Sequence, residues 1–366
     1  MSGVVPSARA ASATAYRRSP SAPAAALGKG LGASGESAEN VLRLDANEGP
    51  FSLTQRRWIE IPEARRASIV REYPDPDSLR VQLADHLGVG AERVVVTAGG
   101  DDALMRLCLA TIDPGCHAVS TTPTFEMIPR YVSLAGGILR QVPWTDGPFP
   151  VESFTRMIDG QTRAVFIVTP NNPTGLAATA GDLAAVANAA PHALMVVDLA
   201  YTEFAGEDLT PVAISLPNAV AVRTLSKAWG LAGLRVGYAV GDPTVIDWLR
   251  AVGQPYAVAG PSAAIASWAI RDLKDAVLAG VDRVREERGL LAEMLRHKGL
   301  RVNDSLANFV LARSPRARGI AGSLATHGIA VRAFPGRPGL EDGLRITCPG
   351  EAELFSRLVK ALENST

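Results

Sequence analysis

The sequence predicts an α/β fold whose main sheet is largely parallel and covered by helices on both faces. Short β-branched runs alternate with segments of helical periodicity. Those runs are apolar at consecutive positions, as strands buried on both faces must be. The chemically distinctive residues stand just after them, where parallel sheets place their ligands. In chain order, RVVVT (93–97) leads into GGDDALMRLCLATI, where Leu104, Leu107 and Cys108 recur at helix spacing. AVFIVT (164–169) precedes NNPTG, ALMVVD (193–198) precedes LAYTEF, and AVAVRTLS (219–226) runs into Lys227. LRVGYAV (234–240) follows.

The final third changes character. A long charged helical stretch spans about 270–298; LANFVLAR, GIAVRAF and GLRITCP then read as short strands before a last helix from about Glu351. We divide the 366 residues into a disordered leader (1–38), a segment joining the smaller domain (39–70), a large domain (71–255) and a small C-terminal domain (256–366). The leader is rich in Ala, Ser, Gly and Pro and has no acid before Glu36, so it buries too little apolar surface to order itself. Its acid-poor, Arg- and Ser-containing composition also matches an organellar transit peptide.

Lys+Arg and Asp+Glu both total 37, so no cationic field invites nucleic acid or an anionic membrane. Apolar runs fall well short of the ~20 residues a bilayer crossing needs. Cys108, Cys116 and Cys348 lie far apart, without a CxxC pair or a nearby histidine. Neither a disulfide framework nor a metal site is therefore expected, and a cytoplasmic location is.

Lys227, in TLSKAWGLAGLRVGY, ends a buried strand between hydroxyls (Thr224, Ser226) and a later Arg235. That arrangement suits a Schiff-base lysine beside a phosphate: the hydroxyls and guanidinium take the phosphate, and the positive charge lowers the amine pKa. A solvated lysine and a capping serine are the plain alternative. Asp198 follows an apolar run and, if buried, needs a cationic partner such as a protonated pyridine; a strand-end Asp capping a turn is the commoner role. Asn172, in PNNPTG, is placed to donate to a phenolic oxygen that Tyr201 could share, or it belongs to an ordinary Pro/Gly turn. Gly99 and Gly100 open a helix whose amides and dipole suit a phosphate.

In order and spacing together, these features resemble the fold-type I pyridoxal 5′-phosphate enzymes of the class I/II aminotransferase group, most closely the histidinol-phosphate aminotransferases. Matching stretches run from RLDANEGPF (43–51) through EYPDPDSLRVQLADHLGV (72–89), TAGGDDAL, PTFEM, TPNNPTG, DLAYTEF and TLSKAWGLAGLRVGY to NFVLAR and VRAFPGRPGLEDGLRIT. The resemblance implies a large domain built on a mixed, mostly parallel seven-stranded sheet between helices, with a smaller α+β domain. It implies Lys227 as the lysine that joins the cofactor and shuttles a proton, and Asp198 as the carboxylate keeping the pyridine nitrogen protonated. Asn172 and Tyr201 would hold the cofactor's phenolic oxygen, and Phe125 would stack on its ring where the family usually has Tyr. Gly99, Gly100, Asp101, Thr224, Ser226 and Arg235 would cradle the phosphate, with Tyr73 reaching the phosphate of the neighbouring subunit in a homodimer. Arg345 would pair with the substrate carboxylate, Arg332 would face the substrate, and Asn47 would border its entrance.

The expected activity is ping-pong transamination between a 2-oxo acid such as 2-oxoglutarate and a histidinol-phosphate-like or other polar amino compound. A lyase or decarboxylase of an amino-acid phosphate on the same fold, and an aminotransferase of specialised amino-acid biosynthesis, are the alternatives. Apart from Phe125, three differences from the family pattern fall outside the cofactor residues: Leu199 replaces an acid, Asp102 stands at a Glu position, and Tyr16 lies in a leader with no clear counterpart of the family's N-terminal tyrosine motif.

Overall fold

The computed structural model describes residues 41–50 and 61–365. The leader expected over 1–38 lies outside the described residues.

Seven strands form the main sheet: β2 (Val94–Thr97), β3 (His117–Thr122), β4 (Ile138–Pro143), β5 (Thr162–Val168), β6 (Leu194–Asp198), β7 (Ala219–Thr224) and β8 (Gly237–Gly241), in the order β2-β8-β7-β6-β5-β3-β4. Only β8 runs against the rest, antiparallel to both β2 and β7. β2, β5, β6 and β7 therefore end along one edge, and the expected chemistry collects there.

Pleating explains the continuous apolar runs. Val94, Val96, Met195 and Val197 point into one core, under the helices Asp77–Leu87, Ala180–Ala189 and Gly260–Asp272. Val95, Leu194, Val196 and Val222 point into the other, under Gly100–Thr111, Met127–Ala135 and Pro243–Val252. Successive side chains alternate between faces, so a sheet covered on both sides demands apolar residues at every position.

A second sheet, in the order β1-β11-β12-β10-β9, comprises β1 (Leu42–Leu44), β9 (Arg301–Val302), β10 (Phe309–Arg313), β11 (Ile329–Ala333) and β12 (Gly343–Thr347). β1 pairs in parallel with β11, so the segment near residue 42 belongs to this sheet. The charged stretch read as one helix is two, Gly260–Asp272 and Lys274–His297, broken at Leu273. The break marks a change of loyalty. The first helix, assigned by the sequence to the smaller domain, buries Ala266 and Ala269 in the large sheet's core, whereas the second buries Val284, Leu291 and Leu295 against the small sheet.

The strand expected over 234–240 starts only at Gly237, because Arg235 adopts a left-handed conformation with φ of 52°. That turn swings the arginine back toward the helix start at Gly99. Among the described residues no helix is long and apolar enough to cross a membrane, and no group of three His, Cys, Asp or Glu could hold a metal ion.

Candidate active site

A cavity of about 420 Å³ opens where the ends of β2, β5, β6 and β7 meet the small sheet. Its volume suits a cofactor-sized ligand. Asn47, Gly100, Asp101, Phe125, Asn172, Asp198, Tyr201, Thr224, Ser226, Lys227, Arg235, Arg332 and Arg345 all line it. Two expected residues do not. Gly99 caps the helix behind the lining with φ of 84°. Tyr73 is 82% exposed, stacks on Tyr256 at 4.5 Å and opens on a different hollow.

Lys227 stands three residues past β7, its ammonium donating to the Ala46 carbonyl at 3.3 Å. Burial, reinforced by the charge of Arg345, lowers its pKa to about 8. Beneath it passes the 45–50 segment, so close that a Cβ on Gly49 would fall 1.6 Å from the Lys227 carbonyl oxygen. Only glycine fits there.

Asp198, fully enclosed at the end of β6, accepts the Ala200 N–H at 3.1 Å. Among the described residues no guanidinium or ammonium lies within ion-pair distance of it. Burial accordingly pushes its pKa up to about 6, as expected of a carboxylate awaiting a cation.

Arg345 lies on β12, directly opposite Arg332 on β11. Two guanidiniums facing each other repel unless an anion joins them. Arg345 spends one nitrogen on Asn172 Oδ1 (2.5 Å) and another on the Asp45 carbonyl (2.7 Å), while its buried Nε has no partner among the described residues. The contact to Asn172 fixes that amide: its oxygen faces Arg345, and its NH2 is left to donate into the cavity.

Asn47 is more deeply placed than an entrance residue. It is buried, with φ of 52°, and its Nδ2 donates to Tyr201 Oη at 3.0 Å. The tyrosine hydroxyl, having accepted that bond, keeps its own proton to donate. Asn308 holds the 47–48 backbone through bonds of 3.3 and 3.2 Å to the carbonyls of Asn47 and Glu48.

At the opposite end, the helix Gly100–Thr111 presents its first N–H groups, which have no partner within the helix. Thr224 Oγ1 lies 2.9 Å from Ser226 Oγ, and Arg235 reaches Ser226 Oγ at 3.5 Å and Asp101 Oδ2 at 3.0 Å. Tyr131 also donates to Asp101, at 3.2 Å, so this carboxylate is already engaged and what Asp101 offers an anion is its backbone N–H. A Cβ on Gly99 would sit 2.7 Å from the Arg235 guanidinium.

Sequence reasoning passed over Glu126, Phe334 and Arg337, which line the same cavity. Glu126 sat unremarked inside PTFEM; Arg337 occupies a Pro/Gly-rich loop with no periodicity to draw attention to it.

Comparison with known proteins adds the lineage. The family described as aminotransferase class I and II matches residues 39–362. This chain belongs to that family. It is a pyridoxal-phosphate-dependent aminotransferase, and the histidinol-phosphate aminotransferase of Thermoanaerobacter pseudethanolicus is similar to it at 35% identity over 315 residues, covering 83% of this chain and 88% of that one. An aromatic amino acid aminotransferase of Mycobacterium tuberculosis is 34% identical over 345 residues, covering 89% and 94%. The crystal structure of the Sinorhizobium meliloti histidinol-phosphate aminotransferase in complex with pyridoxal-5′-phosphate superposes with a TM-score of 0.79 at 27% identity, covering 89% of this chain and 92% of that one.

The residues of this aminotransferase fit the cofactor on three counts. Asp198 is a buried carboxylate without an ion-paired cation among the described residues, the helix start beside Ser226 and Arg235 is a cradle that a Cβ at Gly99 would crowd, and Lys227 is a buried amine whose pKa is lowered to about 8.

Proposed function

We propose that this aminotransferase moves an amino group from a histidinol-phosphate-like or other polar amino compound to a 2-oxo acid such as 2-oxoglutarate, by a ping-pong route. The observation that carries this reading is the Arg332–Arg345 register pair, whose inner guanidinium keeps a buried N–H in reserve for an anion.

When bound, pyridoxal phosphate supplies the aldehyde carbon that takes up the amino group and a ring that accepts the electron pair left at Cα. The protein's part is then specific. Gly100, Thr224, Ser226 and Arg235 would hold the phosphate, while the NH2 of Asn172 and the hydroxyl of Tyr201 would donate to the ring hydroxyl oxygen. Phe125 would pack on the ring, and Asp198 would hold a proton on its nitrogen. Lys227, as a neutral amine, would take the proton from Cα and deliver it to the carbon on the far side of the transferred nitrogen. Arg345 grips the carboxylate or phosphate of whichever substrate is present. Because donor and acceptor share that one anchor, they bind in turn.

We further propose a cytoplasmic homodimer in which each protomer lends Tyr73 to its neighbour's phosphate cradle; the exposure of Tyr73 and its absence from the lining of its own protomer's cavity support this. The reading is tested with histidinol phosphate, L-glutamate, and basic and aromatic amino acids as donors to 2-oxoglutarate. Parallel double-reciprocal plots and one oxo product per amino acid formed are expected. Release of carbon dioxide without an oxo product would establish the lyase alternative instead.

The same assay measures the anchor. Arg345→Lys keeps the charge but loses the two-pronged geometry, so the KM for 2-oxoglutarate is expected to rise by roughly ten- to a hundredfold. Arg345→Gln should cost more.

A further inference from the structure

Three guanidiniums gather around one buried ring. Arg332 and Arg337 each lie 5.7 Å from the centre of Phe334, and Arg345 lies 6.0 Å from it. All three line the cavity. Among the described residues Arg345 donates to neutral oxygens, those of Asn172 and the Asp45 backbone. The other two share one carboxylate: Glu126 lies 3.4 Å from Arg332 and 3.4 Å from Arg337.

Those distances are long for charge-assisted bonds, which settle near 2.7–2.9 Å. Glu126 thus spans two cations without closing tightly on either. Arg337 is meanwhile held in place by a different bond, to the Thr124 carbonyl at 2.9 Å. Its position does not depend on Glu126. The Thr124 bond crosses from the loop between β11 and β12 to the loop after β3, so this arginine spans the two sheets at the mouth of the site.

We propose that Arg337 and Arg332 form a subsite for a second anionic group on the substrate, and that Glu126 is the resident counter-ion which that group displaces. The proposal rests on the reading of Arg345 as the anchor for the substrate's first anionic group. With a substrate that carries only one such group, Glu126 stays between the two arginines and the subsite is neutralised. With a dicarboxylate, the incoming carboxylate takes the two guanidiniums at shorter range, and Glu126, partly exposed, turns toward water. This makes Arg337 a specificity-determining residue and gives the enzyme a way to accept both single- and double-anion partners in the two halves of its cycle. The preferred substrate class is then a 2-oxo or 2-amino acid with a distal carboxylate or phosphate.

Equilibrium binding of two unreactive acids to the holoenzyme tests this without relying on turnover: glutarate, with two carboxylates, and hexanoate, of comparable length with one. The expected result is that Arg337→Gln lowers the glutarate-to-hexanoate affinity ratio by about tenfold or more. Arg337→Lys should restore only part of it. Glu126→Gln should move the ratio the other way, by removing the competitor for the subsite. The opposite signs guard against mere loss of structure, since misfolding would lower both affinities in both variants. A ratio unchanged in Arg337→Gln, or lowered in Glu126→Gln, overturns the proposal. If glutarate and hexanoate both bind and neither depends on Arg345, it is the anchor reading that fails, and the two failures are thereby told apart.

Discussion

Lys227→Ala is expected to abolish transamination, lowering kcat by at least about 10⁴-fold, and to remove the visible absorbance of the bound cofactor. Two losses combine. The side chain is the only buried amine among the residues lining the cavity, so the covalent attachment point disappears. The proton-transfer group goes with it, and a positioned general base alone contributes on the order of 10²- to 10⁴-fold. Purified variant protein, its absorbance spectrum and an endpoint assay with 2-oxoglutarate suffice; a yellow, active variant would remove the basis of the mechanism. The wild-type protein offers a companion measurement. Only the neutral amine attacks an aldehyde, and burial together with Arg345 lowers the Lys227 pKa to about 8. The rate at which cofactor-free protein takes up pyridoxal phosphate should therefore rise with pH through about 8 and level off above it. Removing the positive charge in Arg345→Gln should move that midpoint upward, because a nearby cation disfavours the protonated amine.

Asp198→Asn is expected to lower kcat by roughly 10²- to 10³-fold while leaving the cofactor bound. The amide keeps the shape of the carboxyl and can still accept the Ala200 N–H that now bonds Asp198 at 3.1 Å. It cannot hold a proton on a ring nitrogen, and the loss of one preorganised electrostatic partner in a closed site carries a penalty of that order. Burial has already pushed the carboxyl pKa up to about 6. A cation arriving beside it reverses that shift, so the holoenzyme should keep Asp198 ionised to lower pH than the cofactor-free protein. Retained cofactor with depressed turnover separates this effect from collapse of the site; loss of the cofactor would show Asp198 to be structural instead.

Much of this site was readable before any coordinates. Asp198 and Lys227 stand at the ends of runs whose uninterrupted apolar character has one main physical source, burial on both faces of a sheet. The direction of a strand is fixed once its neighbours are parallel, so the ends of β5, β6 and β7 had to share an edge. What stayed hidden lacks such periodicity. β1 is three residues long, too short for alternation to register, yet it pairs with β11 and leads straight into the residues that touch Lys227 and Tyr201. Asn47 read as a loop residue at an entrance, whereas its bonds to Tyr201 and Thr347 place it inside the wall. Leu273 breaks a charged helical pattern that is otherwise continuous, because the two halves pack on different cores. Arg337 and Glu126 are brought together from positions more than two hundred residues apart in the chain, a distance no local pattern spans.

The ladder between β11 and β12 pins two arginines by backbone pairing, not by the loop that joins them. Residues 335–339, between the buried Phe334 and Leu340, can thus change in length or content while Arg332 and Arg345 keep their places, since strand register is held by the buried faces. Descendants of this chain could trade one partner molecule for another by rewriting a single hairpin tip, with the chemistry behind it left untouched.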